Sequence, residues 1–159
     1  MNTALKSILV ATSLALSFGA VAADNIKTLH IRENHQFSKG QNALQAGELS
    51  KARNYFKRAL RSNLALNYQV AAHNNLCAIG YATGSHDEAL KACINALKLD
   101  RNFWQAHVNM GNIYKAAGDL EAAETAYKSA HAINPTSQTI QTALSSLQDT
   151  RTKQFSENR

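Results

Sequence analysis

Four residues recur at one spacing three times along the chain, and this recurrence constrains the fold more than any other feature. Gly118, Ala123, Tyr127 and Ala130 have counterparts 34 residues earlier in Gly84, Ala89, Cys93 and Ala96. A further set, Gly47, Ala52, Phe56 and Ala59, keeps the same internal spacing at an offset of 37 from the second. A fixed period in this range marks stacked copies of one supersecondary unit. Each glycine stands where a helix must end in a tight turn, because it tolerates backbone angles that other residues avoid. The alanine after it, the aromatic or Cys four residues on and the alanine three beyond that share one helical stripe. Small side chains on that stripe let two helices approach closely. The chain holds a single Pro and no alternating strand pattern, so every unit reads as a helical hairpin.

The third unit is the clearest copy. Over residues 104–137 it carries Gly111, Tyr114, Gly118, Ala123, Tyr127, Ala130 and Pro135 in fixed order. These residues and spacings resemble the tetratricopeptide repeat, a helix–turn–helix unit of about 34 residues. The resemblance implies an all-α chain, a right-handed alpha-alpha superhelix (a solenoid) of three helix pairs plus a C-terminal capping helix. The repeats fall at 33–66, 70–103 and 104–137. A surplus over residues 67–69 separates the first two, and is read as an extra turn in a helix from about Ala65 to Ala82, with a longer loop as the alternative. Asn134 is expected to cap, and Pro135 to open, a final helix whose apolar stripe is Ile140, Ala143, Leu144 and Leu147. That capping helix is placed at 138–150, with a frayed polar tail at 151–159.

The N-terminus has a different grammar. One positive charge in Met1 to Lys6 precedes an apolar run from Ser7 to Phe18 and the small residues Gly19 to Ala23. These are the three regions of a secretory signal peptide, with cleavage after Ala22 or Ala23. The run is shorter than the roughly 17–25 residues that span a bilayer. Residues 1–23 are therefore read as a cleaved export signal, 24–32 as a lead-in segment, and the location as the bacterial periplasm. Loss of Lys6 takes 17 basic residues to 16 against 11 acidic, a net charge of +5. For an exported protein this excess favours anionic envelope components over nucleic acid as charged counterparts. The stripe Arg53, Lys57 and Arg61, with Lys51 and Arg58 nearby, is where weak contact of that kind would occur; a solvated convex face is the simpler reading.

The residues offer little to catalysis. Six histidines are scattered without Ser, Cys or acid partners at motif spacing, and no glycine-rich phosphate loop or zinc-finger pattern occurs. Asp87, Glu88, Asp119 and Glu121 sit at starts of second helices, where negative charge favours the helix N-terminus. No enzyme and no cofactor is expected. By repeat register Cys77 takes the place of Gly111, and Cys93 that of Tyr127. In the family those two places face each other, which together with export implies a Cys77–Cys93 disulfide; two buried thiols are the alternative. His73, Cys77 and Cys93 also suggest a metal carrier, although a fourth ligand is lacking and no metal site is assigned.

The resemblance also implies a concave groove lined by the first helix of each pair. The candidate peptide-binding residues are Phe37 and Gln41 in the first unit, and Ala71, Asn74, Asn75, Ala78 and Tyr81 in the second. In the third they are Gln105, Val108, Asn109, Asn112 and Lys115. Amides both donate and accept, so a ladder of them suits an extended peptide. The family's carboxylate-clamp variety has Lys or Arg where Phe37, Gln41, Gln105 and Asn109 stand; only Asn75 fits it, and capture of a free C-terminus by that clamp is not expected. The expected role is a monomeric, non-enzymatic adaptor for a protein or peptide of unknown identity, without nucleic acid. A self-assembling structural envelope protein is the competing class.

Overall fold

The three turn glycines all adopt the left-handed backbone that the repeat requires, with φ of 72° at Gly47, 72° at Gly84 and 83° at Gly118. Each closes its helix in the same way. The amide of the residue after the glycine donates to a carbonyl five residues back: Glu48 to Ala43 at 2.8 Å, Ser85 to Gly80 at 2.8 Å and Asp119 to Tyr114 at 3.0 Å. This is the Schellman arrangement, which satisfies carbonyls a helix end leaves without partners.

The computed structural model describes residues 35–157. Residues 1–34, which hold the stretch read as an export signal, the lead-in and the opening of the first unit, lie outside the described residues, as do 158–159. Among the described residues seven helices follow in order: α1 (His35–Gln45), α2 (Leu49–Ala59), α3 (Leu66–Ala82), α4 (His86–Leu99), α5 (Trp104–Ala116), α6 (Leu120–Ile133) and α7 (Gln138–Glu157). No strand occurs among the described residues. The closest packing is within the hairpins α1–α2, α3–α4 and α5–α6; α2 meets α3, α4 meets α5, and α7 covers the last pair. The surplus between the first two units appears as helix: α3 has 17 residues where α5 has 13.

Burial follows the repeated stripe. Ala52, Ala89 and Ala123, and again Ala59, Ala96 and Ala130, are fully enclosed. Phe56, Cys93 and Tyr127 stand between them, equally enclosed. Opposite each lies the first helix's contact residue. A Cβ on Gly40 would sit 2.7 Å from the Phe56 ring, and one on Gly111 would overlap the Tyr127 ring. In the middle unit the corresponding residues, Cys77 and Cys93, are joined by a disulfide with Cα atoms 5.2 Å apart.

The capping helix begins at Gln138, as expected, but Asn134 and Pro135 do not open it, and it runs past its expected end. Asn134 ends α6 instead of opening α7, its amide donating to Ala130 O at 2.9 Å. The helix starts three residues later than Pro135 and runs on to Glu157 instead of fraying near Thr150. Arg151 accounts for the extension: it reaches back to α6, meeting Glu124 at 2.7 Å, Glu121 at 3.5 Å and the Leu120 carbonyl at 3.4 Å. Among the described residues no helix is long and apolar enough to cross a membrane.

Candidate functional site

The first helices α1, α3 and α5 carry the residues proposed for the groove, and polar side chains join one helix to the next. Asn75 Nδ2 on α3 donates to Gln41 Oε1 on α1 at 3.2 Å. Asn109 Nδ2 on α5 donates to Asn74 Oδ1 on α3 at 2.8 Å. All four amides are half-buried, so each bond is partly shielded from water while one edge stays wet. A primary amide offers two N–H groups and a carbonyl with two lone pairs, so one bond leaves most of that capacity unspent. The arrangement is a row of oriented donors and acceptors held in place by the joints between repeats.

Two of the proposed lining residues belong to the core instead. Phe37 is buried, its ring edge-on to Phe56 at 5.5 Å and to Tyr68 at 5.1 Å. Val108 is buried in the cluster that α7 completes with Ile140 and Leu147. Both have one cause. Phe37, Asn74 and Val108 occupy the same register, and at that position the side chain faces the next unit's first helix: α3 for Phe37, α5 for Asn74 and α7 for Val108. Only in the middle unit is the place taken by an amide, which turns the seam into a hydrogen bond.

The rest of the row lies toward the helix C-termini. Asn112 Oδ1 accepts a 2.7 Å bond from the Tyr127 hydroxyl, and burial pushes that phenol up to about 12, with Tyr81 adding to the effect. The Tyr81 ring stacks on His86 at 6.1 Å. Lys115 Nζ donates to Ser146 Oγ of α7 at 2.8 Å, so the capping helix closes that end of the row. Ser146 carried no signal in the sequence, being one of many small polar residues on α7. Ala71, Ala78 and Gln105 are half-buried on the same helices.

The metal-carrier alternative loses its ligands. Both sulfurs are committed to the disulfide, so neither is available as the thiolate a soft metal needs. Among the described residues no group of three His, Cys, Asp or Glu side chains is placed to hold a metal ion. His73 is half-buried, and burial holds its imidazole below the ordinary value. Its repeat equivalent His107 brings Nε2 to 3.4 Å from the Arg101 carbonyl.

A family model described as a tetratricopeptide repeat-like domain matches residues 16–150. The chain belongs to that family. Solved structures agree on the repeat fold at low identity. The Arabidopsis OM64 TPR domain superposes with a TM-score of 0.67 at 19% identity, covering 74% of this chain and 95% of that one. The second TPR domain of human RPAP3, in complex with an HSP70 peptide, gives 0.66 at 18%, covering 75% and 97%. The Saccharomyces cerevisiae Hsp90 co-chaperone Cns1 gives 0.76 at 16%, covering 81% of this chain and 42% of that one. A search of curated proteins gave no match. For this TPR protein the neighbours establish architecture, and the groove chemistry rests on its own side chains.

Proposed function

We propose that this protein is a non-enzymatic interaction module that binds a protein or peptide segment along the face formed by α1, α3 and α5, and that it works in the bacterial periplasm. The observation that carries the reading is the row of half-buried amides Gln41, Asn75, Asn74 and Asn109, fixed by bonds across the repeats with donors and acceptors to spare. A backbone laid along such a row finds partners without side-chain readout, so affinity would come from the main chain and selectivity from Tyr81, Asn112 and Lys115. The TPR relatives solved with an HSP90 peptide or an HSP70 peptide support this class of ligand. The N-terminal signal pattern and the Cys77–Cys93 disulfide support the location, since such bonds persist in oxidising compartments.

The test is a pull-down from periplasmic extract with residues 24–159 as bait, beside the Asn75→Ala/Asn109→Ala double variant. The wild-type bait retains a partner that the variant loses, while circular dichroism shows the same helix content in both. Equal recovery by both baits would remove the groove from consideration.

A further inference from the structure

On the far side of α3 from Asn75 and Ala78, the helices α2, α3 and α4 line an open cleft of about 490 Å³. Its floor is apolar, formed by Leu60, Leu76 and Ala92, and its walls are basic: Arg53, Lys57 and Arg61 from α2 and the turn after it, and Lys91 from α4. Against these four cations the lining holds one carboxylate, Glu88. Among the described residues none of the four makes an ion pair; the ion pairs present involve Lys51, Lys128 and Arg151 elsewhere. Arg53 is held across the cleft by its bond to the Thr83 hydroxyl, and Lys57, Arg61 and Lys91 are exposed.

We infer that this convex cleft binds an acidic peptide segment of a partner protein that carries an apolar side chain between its carboxylates. The spacing of the cations chooses among anions. Arg53 and Lys57 lie one helical turn apart on α2, about 6 Å at a rise of about 1.5 Å per residue, and Arg61 and Lys91 extend the basic wall past the end of α2 and onto α4. Four cations spread over α2, the turn after it and α4 around an apolar floor offer separate places for more than one carboxylate of a chain. An extended chain covers the interval from Arg53 to Lys57 in about two residues at roughly 3.3 Å each. The apolar floor takes the side chain between the charges, and its volume falls within the roughly 300–1,000 Å³ of ordinary ligand pockets. A flat bilayer meets the exposed cations more readily than the half-buried Leu60, Leu76 and Ala92 between the helices, which favours a chain over a membrane. The cleft uses the opposite side of α3 from the amide row and stands or falls independently of it.

The experiment titrates residues 24–159 with a fluorescein-labelled peptide alternating glutamate and leucine, with its glutamine–leucine counterpart, and with phosphatidylglycerol vesicles. The glutamate peptide should bind saturably and more weakly as salt rises. In Lys57→Glu/Arg61→Glu, two exposed positions, with circular dichroism to check that the helix content is kept, its affinity should fall about tenfold or more. Lys98→Glu, outside the cleft, and Asn75→Ala/Asn109→Ala, on the other face, should leave it unchanged. Equal binding of the glutamine peptide, or an equal loss in Lys98→Glu or the amide variant, would overturn the inference. So would vesicles that bind and lose binding in the Lys57/Arg61 variant while the peptide does not bind.

Discussion

Gly40 and Phe56, Cys77 and Cys93, and Gly111 and Tyr127 occupy the same pair of facing sites in successive units. In the outer two units a ring fills the space that a missing side chain leaves; in the middle unit two small side chains meet halfway and are bonded. The two solutions are not interchangeable one residue at a time. With wild-type protein kept reduced as the reference, Cys93→Tyr alone drives a ring into the Cys77 side chain, an overpacking that costs about 1–3 kcal/mol. Cys77→Gly alone opens a cavity beside Cys93 and adds the roughly 0.5–1 kcal/mol of a glycine within a helix. The double variant Cys77→Gly/Cys93→Tyr restores the third unit's pair, so urea unfolding should find it more stable than the Tyr single and less destabilised than the two losses combined. Strict additivity would show that the two units do not share one packing scheme.

At the scale of elements, the internal repeat makes the hairpins legible, because turn glycines and small residues act locally and recur. It also places the extra turn in α3. The misplacements came where a residue answers to a neighbour instead of its own helix. Pro135 is favoured both at the first position of a helix and at the second of a turn. Here Ser137 N bonds Asn134 O at 3.3 Å, so the turn wins, and the residue before Pro is kept out of the helical region. Phe37 and Val108 have the periodicity of groove residues but meet the next unit's first helix, which no intra-helix pattern reveals. The far end of α7 looked polar because Arg151 stabilises through cross-helix charge, not burial. Lys128 and then Arg151 hold the Glu124 carboxyl below its ordinary value of 4.5. Such a group contributes stability that is present above the ordinary value and lost as pH falls through the lowered one. Arg151→Ala should therefore lower the melting midpoint at neutral pH, and the gap from wild type should close in acid and narrow in high salt. Lys153→Ala, two residues further along α7 and exposed, is the control. A gap that persists unchanged at low pH would mean that Arg151 acts by packing alone.

Across the whole molecule, stability in a stack of repeats is a sum of unit and interface terms, with each unit touching only its neighbours. The middle hairpin α3–α4 is the one unit with described repeats on both sides, and it alone carries the cross-link. It is also the element both proposed faces share, since α3 gives Asn74 and Asn75 to one and Leu76 to the cleft floor of the other. A bond between residues 16 apart removes disorder from the unfolded chain worth about 3 kcal/mol on the loop-entropy model. In a stack, that gain belongs first to the hairpin that holds it and reaches the others through the α2–α3 and α4–α5 contacts. Native-state hydrogen exchange on oxidised protein should accordingly find the slowest amides in α3 and α4, with α1 and the end of α7 fraying first. Reduction should speed exchange most in α3 and α4 and bring their opening free energy toward that of α5–α6. If reduction instead accelerates every helix equally, the chain opens as one unit. The middle repeat is then not a separable keystone, and the two faces would be lost together on any change that weakens one of them.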